Sequence, residues 1–550
     1  MNASKSEPRQ KGAPLLQISG LKVDGFSDDR WHPIVKGVDL RLERGEILGL
    51  IGESGAGKST LGLVAMGYAK PGCRITGGSV TFDGKDMLSL PEEELRLMRG
   101  SRIAYVAQSA AASFNPSHRL LDQTIETAVR HGLLGRRLAA ARAVEMFGKL
   151  RLPRAAEIGF RFPHQVSGGQ LQRAMTAMAM ECRPDLIIFD EPTTALDVTT
   201  QVEVLASMRE VVREFNTAAI YISHDLAVVA QMADRIMVLR HGIAVEEAPT
   251  RKMLAEPETE YTRSLWSVRA MSQAERPETD THLSIEGLSS GYAKSVKVLD
   301  DVSLKVQRGR TLAIVGESGS GKSTLAQVIS GMVPVWSGKM VFEGQVLPSG
   351  FRGRSRDLLR KIQMIYQSPD TALNPRHTVE EIIGRPLEFY LGLRGEERDR
   401  RVVELLDMIE MGSQFLDRLP GELSGGQKQR VCIARALAAK PSLVICDEVT
   451  SALDQLVQTE ILKLLDTLQQ ELGITYVFIT HDIATVRAIA DQVVVMNGGK
   501  LVEQGSRAQV LETPQQDYTN LLLSSVPEMD PDWLTRLLAE RRGGAIAAAN

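Results

Sequence analysis

The chain has 550 residues, of which 43% are hydrophobic and 24% are charged. Because a single hydrophobic core stops growing near ~250–300 residues, this length predicts at least two domains. The formal net charge of −3 argues against a protein that binds nucleic acid through a basic surface. No stretch approaches the ~18 apolar residues of a membrane span, and the polar N-terminus lacks the apolar segment of a secretory signal. We therefore expect a cytoplasmic chain without a span.

The first predicted element that carries chemistry is a buried strand at residues 47–51, followed at once by Gly52 to Thr60, with the sequence GESGAGKST. This segment matches the pattern G-x-x-x-x-G-K-[ST] of a phosphate-binding loop between a strand and a helix. Its glycines let consecutive backbone N–H groups face an anion at the helix N-terminus. We expect Lys58 to reach the β- and γ-phosphates of a nucleotide and Ser59 to bind Mg²⁺. A glycine-rich turn without a ligand is the alternative.

A second helix start is predicted at Ser167-Gly168-Gly169-Gln170, where a serine precedes a helix-compatible stretch. Serine is a preferred N-cap, and the helix start beyond it leaves backbone N–H donors free. An ordinary helix cap is the alternative. Because one nucleotide already has its own phosphate-binding loop, a second anion-binding helix start needs another role.

Two further strands are predicted at residues 186–189 and 218–223, and polar residues follow both. Asp190 emerges at the carboxyl end of the first strand, where it can hold Mg²⁺ through water. Glu191 comes next and is a candidate general base for an attacking water, although two acids that cap the next helix are the alternative. His224 follows the second strand, where a neutral imidazole can hydrogen-bond the γ-phosphate or hold that water. A structural histidine is the alternative there.

All of these motifs recur in the same order in the second half of the chain. The repeated features are a strand at 312–315, the loop GESGSGKST from Gly316 to Thr324, the segment Ser424-Gly425-Gly426-Gln427, a strand at 443–446 that ends in Asp447 and Glu448, and a strand at 476–480 before His481. Chance does not preserve order across so many sites, so the chain is a tandem duplication. Strands that alternate with helices predict a mainly parallel sheet wrapped by helices in each half.

Five motifs in this order, present twice, resemble the ATP-binding cassette family, and the chain is similar to a fused pair of its nucleotide-binding domains from about Leu15 to Pro527. The resemblance implies an α/β fold with two tandem P-loop domains, each with a mainly parallel core sheet, a helical subdomain and an antiparallel sheet. In that family, the serine-glycine-glycine-glutamine signature of one cassette closes over ATP that is held by the loop of the other.

By this resemblance, two composite ATP sites are expected. One would combine Lys58, Ser59, Asp190, Glu191 and His224 with Ser424, Gly425 and Gly426. The other would combine Lys322, Ser323, Asp447, Glu448 and His481 with Ser167, Gly168 and Gly169. Both glutamates and both histidines are present, and therefore we expect both sites to hydrolyse ATP.

The resemblance implies roles for residues outside these motifs. Gln108 and Gln367, each followed by Asn-Pro, resemble the glutamine that senses the γ-phosphate and the metal, and a surface loop is the alternative. Tyr292 resembles the aromatic residue that stacks on adenine, and Phe26 is its counterpart in the first half, with Trp31 as a competitor. A buried packing role is the alternative for these aromatic residues.

The implied assignments are as follows. The catalytic residues are Glu191, His224, Glu448 and His481. The ATP-binding residues are Gly52, Ser54, Gly55, Gly57, Lys58, Ser59, Thr60, Gln108, Ser167, Gly168, Gly169, Gln170, Gly316, Ser318, Gly319, Gly321, Lys322, Ser323, Thr324, Gln367, Ser424, Gly425, Gly426, Gln427, Phe26 and Tyr292. The residues that hold Mg²⁺ are Ser59, Gln108, Asp190, Ser323, Gln367 and Asp447.

The predicted domain boundaries follow composition. A disordered tail at residues 1–14 precedes the first cassette at 15–270, and a polar, proline-containing linker at 271–281 precedes the second cassette at 282–527. A C-terminal tail follows at 528–550, which we expect to fray from Arg541 onward.

Within the family, the phrase QSPDTALNP from Gln367 to Pro375 resembles the dipeptide/oligopeptide importer branch, as do Glu260-Tyr261-Thr262 and Asp517-Tyr518-Thr519 near the ends of the two halves. The resemblance implies an ATP-hydrolysing, energy-coupling subunit of a bacterial importer for peptides or related small solutes, with ATP and Mg²⁺ as cofactors. Its partners would be two integral-membrane permease subunits and, through them, a periplasmic or extracellular solute-binding protein. It would be peripheral, at the cytoplasmic face of the inner membrane, and would bind no nucleic acid.

Two other classes stay open. One is a soluble double-cassette ATPase that acts on ribosomes or DNA, against which the short, acidic-leaning linker argues, and the other is an exporter subunit. The four cysteines, Cys73, Cys182, Cys432 and Cys446, have no C-x-x-C spacing and are expected to be reduced thiols. Some members of the importer branch carry an iron–sulfur cluster near the C-terminus, but no cysteine follows Cys446, so none is expected here.

Overall fold

The computed structural model describes residues 13–27, 29–193, 196–267, 276–293, 296–451 and 453–549. The predicted N-terminal tail up to residue 12 and residues 271–275 of the predicted linker lie outside these ranges. Contacts divide the chain into two compact units. Unit 1 takes in the described residues up to Leu196, Thr200–Trp266 and those from Pro527 onward, and unit 2 takes in Asp197–Thr199 and those within Ser267–Val526. The predicted domain boundaries themselves stay predictions.

Strands and helices alternate along the first half of the chain. The strands are β1 (Leu16–Ser27), β2 (Arg30–Leu42), β3 (Ile47–Ile51), β4 (Cys73–Phe82), β5 (Lys85–Asp86), β6 (Ile103–Val106), β7 (Leu186–Asp190), β8 (Ala218–Ile222), β9 (Arg235–Arg240) and β10 (Ile243–Pro249). The helices are α1 (Lys58–Val64), α2 (Glu92–Met98), α3 (Ala110–Ser113), α4 (Leu120–Arg130), α5 (Arg136–Lys149), α6 (Ala155–Ile158), α7 (Gly168–Met180), α8 (Val198–Glu214), α9 (Leu226–Met232), α10 (Thr250–Ala255) and α11 (Glu260–Ser267).

Unit 1 is built on two sheets. The strand order of the core sheet is β10-β9-β3-β8-β7-β6, and all neighbours are parallel except the edge pair β9 and β10. The second sheet, β2-β1-β4-β5, is antiparallel. Every residue of β3, β7 and β8 is buried, as expected for parallel strands that are covered on both faces. The three strands predicted for this half are therefore confirmed.

The second half repeats this plan. Its strands are β11 (Thr281–Ala293), β12 (Val296–Gln307), β13 (Thr311–Val315), β14 (Val335–Phe342), β15 (Gln345–Val346), β16 (Ile362–Ile365), β17 (Leu443–Asp447), β18 (Thr475–Ile479), β19 (Gln492–Asn497) and β20 (Lys500–Ser506). The helices are α12 (Lys322–Ser330), α13 (Arg356–Lys361), α14 (Pro369–Ala372), α15 (Val379–Pro386), α16 (Gly395–Met408), α17 (Gly425–Leu437), α18 (Gln455–Leu472), α19 (Ile483–Ile489), α20 (Arg507–Glu512), α21 (Asp517–Ser524) and α22 (Trp533–Ala549). The core sheet has the order β16-β17-β18-β13-β19-β20 and the antiparallel sheet the order β12-β11-β14-β15.

A helical subdomain is inserted in the chain between the edge strand of each core sheet, β6 or β16, and the neighbouring strand that carries the acidic pair, β7 or β17. In unit 1, α4 and α5 pack through Ile125, Ala128, Ala139 and Ala143. The small residues allow the two helices to approach closely. The predicted α/β fold, with a parallel core, a helical part and an antiparallel sheet in each half, is confirmed. In the described part of the chain, no helix combines the length and apolarity that crossing a bilayer requires.

The end of the chain corrects one prediction. Residues beyond Arg541 were expected to fray, whereas the backbone forms the continuous helix α22 (Trp533–Ala549). Trp533, Leu534 and Leu537 are buried, and this segment belongs to unit 1. These three residues lie on one helical face, and burial of that face stabilises the first turns of the helix.

Candidate functional site

Strand order brings the predicted catalytic residues of unit 1 to one edge of the core sheet. Strand β8 lies between β3 and β7, so the loop after β3, the acids that end β7 and the histidine after β8 all leave the carboxyl edge of adjacent parallel strands. Strand β18 lies between β13 and β17 in the same way in unit 2. The order of strands in the sheet, which differs from their order in the chain, creates each site.

The loop after β3 wraps around the amino group of its own lysine. Lys58 is the first residue of α1, and its Nζ donates hydrogen bonds to the carbonyl oxygens of Gly52 at 2.7 Å and Glu53 at 2.9 Å. Gly52 has a φ of 152°, and a Cβ on this residue would lie 2.1 Å from the carbonyl oxygen of Leu239. Only glycine fits at this close approach of two backbones.

The second loop has the same geometry. Lys322 Nζ donates to the carbonyl oxygens of Gly316 at 2.8 Å and Glu317 at 2.7 Å. Burial lowers the pKa of Lys322, and the negative charges of Glu448 and Asp447 oppose that effect. The middle of each loop, Ser54 and Gly55 in unit 1 and Ser318 and Gly319 in unit 2, is exposed.

A serine of each loop is hydrogen-bonded to the aspartate at the end of the neighbouring strand. Ser59 Oγ donates to Asp190 Oδ1 at 2.8 Å, and Ser323 Oγ donates to Asp447 Oδ1 at 3.1 Å. Burial raises the pKa of Asp447, against the hydrogen bond from Ser323. A hydroxyl and a carboxylate beside a phosphate-binding loop are hard oxygen ligands, which is the donor set that Mg²⁺ requires.

The candidate general base of unit 1 is held by two side chains. Gln108 Nε2 donates to Glu191 Oε2 at 3.0 Å, and His224 Nδ1 lies 3.3 Å from Glu191 Oε1. In unit 2, Gln367 Nε2 donates to Glu448 Oε2 at 2.8 Å, and His481 Nδ1 lies 3.5 Å from Glu448 Oε1. The three residue types predicted from separate motifs therefore meet in each unit.

The electrostatics of these clusters raise the pKa of both histidines, and in unit 2 they favour the charged form of Glu448. Burial lowers the pKa of His224, but the hydrogen bond and charge of Glu191 outweigh it, so the pKa is raised overall. His481 behaves in the same way beside Glu448. Burial raises the pKa of Glu448, but the hydrogen bond and charge of His481 lower it by more than burial raises it, so the net pKa is lowered. A charged carboxylate is the form that accepts a proton.

Both glutamates adopt a backbone conformation that is unfavourable for residues other than glycine. Glu191 and Glu448 each have a φ of 50°, in the left-handed region. Their N–H groups donate to the carbonyl oxygens of Ile222 and Ile479, both at 2.9 Å, which pins the turn to the next strand. Strain of about 1–3 kcal/mol at such a position persists only where the surroundings impose it. A proline follows Glu191 and a valine follows Glu448. The φ angle and the backbone hydrogen bond of the glutamate are nevertheless the same in both units.

The two signature segments begin helices α7 and α17, as predicted. Ser167 Oγ accepts from the Gln170 N–H at 3.3 Å, and Gln170 Oε1 accepts from the Ser167 N–H at 3.2 Å, which is a complete capping box. Ser424 and Gln427 repeat it at 3.3 Å and 2.9 Å. In both segments the serine and the glycine after it are exposed.

The second glycine of each signature lies against the helix that follows the acidic pair. A Cβ on Gly169 would lie 2.2 Å from Thr200 Cγ2, and a Cβ on Gly426 would lie 2.6 Å from Val457 Cγ1. Packing therefore excludes a larger residue at this position. Within the described residues, the side-chain hydrogen bonds of Ser167 and Ser424 stay inside their own caps, and none reaches the phosphate-binding loop of the same unit.

The predicted adenine-stacking residues lie on the surface, so the buried alternative is wrong. Phe26 is 50% exposed and faces Trp31, which is 40% exposed, across the β1–β2 pair with ring centroids 5.2 Å apart. Tyr292 is 64% exposed, and its hydroxyl lies 3.1 Å from Thr324 Oγ1, at the start of α12. An exposed ring beside the phosphate-binding loop is open to a planar ligand.

Two tyrosines at these sites are not predicted by any of the motifs. Tyr105 on β6 donates from its hydroxyl to Asp190 Oδ2 at 2.5 Å, and burial together with Asp190 raises the pKa of this phenol. The Tyr518 hydroxyl accepts from the backbone N–H of Glu317 at 3.2 Å, in the second phosphate-binding loop. A polar residue within the apolar strand IAYV was the available signal for Tyr105.

Comparison with known proteins agrees with this geometry. The sequence profile described as ABC transporter matches residues 35–194 and 299–451, and the profile described as oligopeptide/dipeptide transporter, C-terminal region, matches residues 502–549. The glutathione import ATP-binding protein GsiA of Salmonella paratyphi A is 37% identical over 94% of this chain and 90% of its own length. The protein of the same name from Escherichia coli O157:H7 is 36% identical with the same coverage.

Among solved structures, cbiO1 from Clostridium perfringens, described as part of the ABC transporter complex cbiONQ, is 33% identical with a TM-score of 0.40 and covers 43% of this chain and 92% of its own. The two matched cassettes, the ATP-site geometry in each half and the importer-type C-terminal region agree with one another. The chain therefore belongs to the ATP-binding cassette transporter family, as an ATP-hydrolysing subunit that carries two cassettes.

Proposed function

We propose that this chain couples ATP hydrolysis to the import of small peptides, through two ATP sites that each draw residues from both cassettes. The observation that supports an ATPase most directly is the meeting, in each unit, of the loop lysine, the serine–aspartate pair and the glutamate–glutamine–histidine cluster. The match of residues 502–549 to the C-terminal region of oligopeptide/dipeptide transporters favours importers over the ribosome-acting alternative. The relatives named for glutathione import, a tripeptide, agree in solute size.

The chemistry of each site follows from residues of the chain. Glu191, held by Gln108 and His224, accepts a proton from the attacking water, and Lys58 with the N–H groups of α1 binds the phosphates of ATP. Ser59 and Asp190 would hold Mg²⁺, which would supply positive charge to offset the negative charge of the phosphates. The corresponding residues of unit 2 act in the same way, with Glu448 as the base.

The exposed signature segments support the composite arrangement. Each ends in a capped helix start whose first glycine is exposed, and an exposed helix N-terminus attracts a phosphate. We propose that Ser424, Gly425 and Gly426 complete the site that contains Lys58. Ser167, Gly168 and Gly169 would complete the site that contains Lys322. The closed state would then require two ATP molecules, and hydrolysis would release it.

Single-turnover hydrolysis tests this pairing. In a Glu448→Gln background, the remaining ADP formed per chain comes from the site with Glu191. Adding Ser424→Arg should abolish that turnover, whereas the matched change Ser167→Arg, which alters the signature proposed for the other site, should lower it less. The reverse pattern would show that each signature serves its own cassette.

We further propose that the partners are two permease subunits and an external solute-binding protein, and that the chain binds peripherally at the cytoplasmic face of the inner membrane. Uptake of labelled glutathione, dipeptides and pentapeptides should be lost in cells whose chromosomal copy carries Lys58→Ala and Lys322→Ala. Uptake of a free amino acid is the control. Unchanged uptake of all three peptide classes would contradict a peptide importer.

A further inference from the structure

The aspartate that ends β7 is held from both sides in unit 1. Ser59 Oγ donates to Asp190 Oδ1 at 2.8 Å, and the Tyr105 hydroxyl donates to Asp190 Oδ2 at 2.5 Å. Each carboxylate oxygen thus has a different donor, one from α1, which follows β3, and one from β6, and β3 and β6 lie on opposite sides of β7 in the sheet. A carboxylate that is bonded at both oxygens cannot rotate without breaking a hydrogen bond.

The equivalent position in unit 2 carries no donor. Tyr105 is paired with Ile188 in the β6–β7 ladder, two residues before Asp190, and Met364 is paired with Ile445 in the β16–β17 ladder, two residues before Asp447. A methionine thioether has no hydrogen to donate. Asp447 keeps the bond from Ser323 Oγ, at 3.1 Å. The two sites therefore share every predicted reactive residue and differ in the residue that orients the aspartate.

We propose that Tyr105 is a positioning residue that orients Asp190 toward the metal–nucleotide complex, and that it makes the first ATP site bind the metal more tightly than the second. This inference rests on the proposed function, which assigns Asp190 and Asp447 to Mg²⁺. Partners that orient a metal ligand typically account for about 10–100-fold in metal affinity. Because Asp190 is expected to act through water, the lower end of that range, about 10-fold, is the expected size.

Manganese binding measures the difference in metal affinity between the two sites without ATP hydrolysis. The full chain is titrated with Mn²⁺ in the presence of a non-hydrolysable ATP analogue, and free Mn²⁺ is followed by electron paramagnetic resonance. Lys322→Ala confines the analogue to the site with Lys58, and Lys58→Ala confines it to the site with Lys322. With no further substitution, the site with Lys58 should bind Mn²⁺ about 10-fold more tightly than the site with Lys322.

Two matched substitutions then separate the residues. Tyr105→Phe, which removes only the hydroxyl, should weaken Mn²⁺ binding at the Lys58 site by about 10-fold, and Tyr105→Met should make the two sites alike. Met364→Leu should leave the Lys322 site unchanged. If Tyr105→Phe stays within twofold of its parent, the inference is wrong.

Two controls distinguish the alternatives. Affinity for the analogue in EDTA should not change in Tyr105→Phe, and a loss there equal to the loss with Mn²⁺ would assign Tyr105 to general packing and overturn the inference. Asp190→Asn should weaken Mn²⁺ binding. If Asp190→Asn does so while Tyr105→Phe does not, only the tyrosine inference fails. If neither does, the metal assignment in the proposed function fails with it.

Discussion

The side chain of Gln231 is hydrogen-bonded to the backbone of Leu534, with Oε1 accepting from the Leu534 N–H at 3.1 Å. Gln231 Nε2 also donates to the carbonyl oxygens of Glu528 at 2.8 Å and Asp530 at 2.9 Å. Gln231 is 2% exposed and lies on α9, the helix that begins directly after His224 and Asp225. The C-terminal segment is thus a structural part of unit 1, attached beside the helix that follows His224.

Other contacts secure the same segment. Arg251 Nη2 donates to both carboxylate oxygens of Asp532 at 2.8 Å, and Arg209 Nη2 donates to Thr535 Oγ1 at 3.1 Å. The Arg251–Asp532 pair is exposed and contributes little. Burial of Trp533 and Leu534 provides most of the stabilisation.

Removing the buried leucine should therefore destabilise unit 1. Leu534→Ala is expected to cost about 2–5 kcal/mol of the free energy of unfolding, because Leu534 is fully buried and its loss leaves a cavity. Hydrogen exchange should rise at the amides of α9, as measured by mass spectrometry. Glu540→Ala, at an exposed position of the same helix, is the control. Unchanged exchange in α9 would show that the segment does not support this helix.

Changing both candidate bases should separate binding from hydrolysis. In Glu191→Gln with Glu448→Gln, steady-state ATPase activity should fall by about 10²–10⁴-fold, because an amide cannot accept the proton of water. ATP affinity should be retained, and radiolabelled ATP should remain with the chain through gel filtration as an occluded state. The exposed Glu286→Gln is the control. Near-normal hydrolysis in the double variant would remove both glutamates from the proposed role.

A buried histidine should make unit 2 less stable in mild acid. Burial and the positive charge of Arg308 lower the pKa of His282, against Glu343, so the folded state takes up its proton at lower pH than the unfolded state does. Stability should fall as the pH decreases below ~6.5, with a slope of at most ~1.4 kcal/mol per pH unit.

His282→Leu tests this predicted loss of stability in acid. Leucine is chosen because the equivalent residue of unit 1 is the buried Leu15, which precedes the β1 residue that pairs with Phe82. In the variant, the midpoint of urea unfolding should lose the part of its pH dependence between pH 5 and 7 that His282 causes. An unaltered slope in the variant would assign the acid sensitivity to other residues. Despite some burial, hydrogen bonds from Lys361, His282 and Ser442 hold the pKa of Glu343 at about 2. The contribution of Glu343 to stability is therefore lost only at pH values below the range tested.

Glu181 should give the opposite slope in unit 1. Its side chain is fully buried at the end of α7, neither carboxylate oxygen has a hydrogen-bond partner among the described residues, and burial raises its pKa to about 7, which Arg142 and Arg183 counteract only in part. The folded state thus keeps a proton that the unfolded state loses near pH 4.5, so stability falls as the pH rises from about 4.5 to 7.

Glu181→Met should therefore stabilise unit 1 at pH 8 by on the order of 2–3 kcal/mol and much less at pH 4.5. Differential scanning calorimetry at the two pH values measures the difference. The aligned residue of unit 2 is Ala438, which is buried and apolar. A variant that is less stable than the parent at pH 8 would mean that Glu181 has a partner that compensates its burial.

The sequence by itself determined the duplication, the α/β class and nearly all of the residues that meet at the two candidate sites. Local spacing carries that information, because a phosphate-binding loop needs its glycines, lysine and serine within nine consecutive positions, as in Gly52 to Thr60. A buried parallel strand is likewise visible as a short apolar run, so the strands before Asp190 and His224 were predicted to within one residue at their ends. The capping boxes at Ser167 and Ser424 are local for the same reason.

Only the tertiary structure decided which distant residues meet. Tyr105 and Asp190 lie on adjacent strands that are far apart in the chain, and nothing local to either residue reports the hydrogen bond between them. The left-handed conformation of Glu191 is imposed by its hydrogen bond to Ile222 on the next strand of the sheet. The attachment of α22 to unit 1 depends on Gln231, about three hundred residues earlier, because burial rewards contacts in space whatever their separation in sequence.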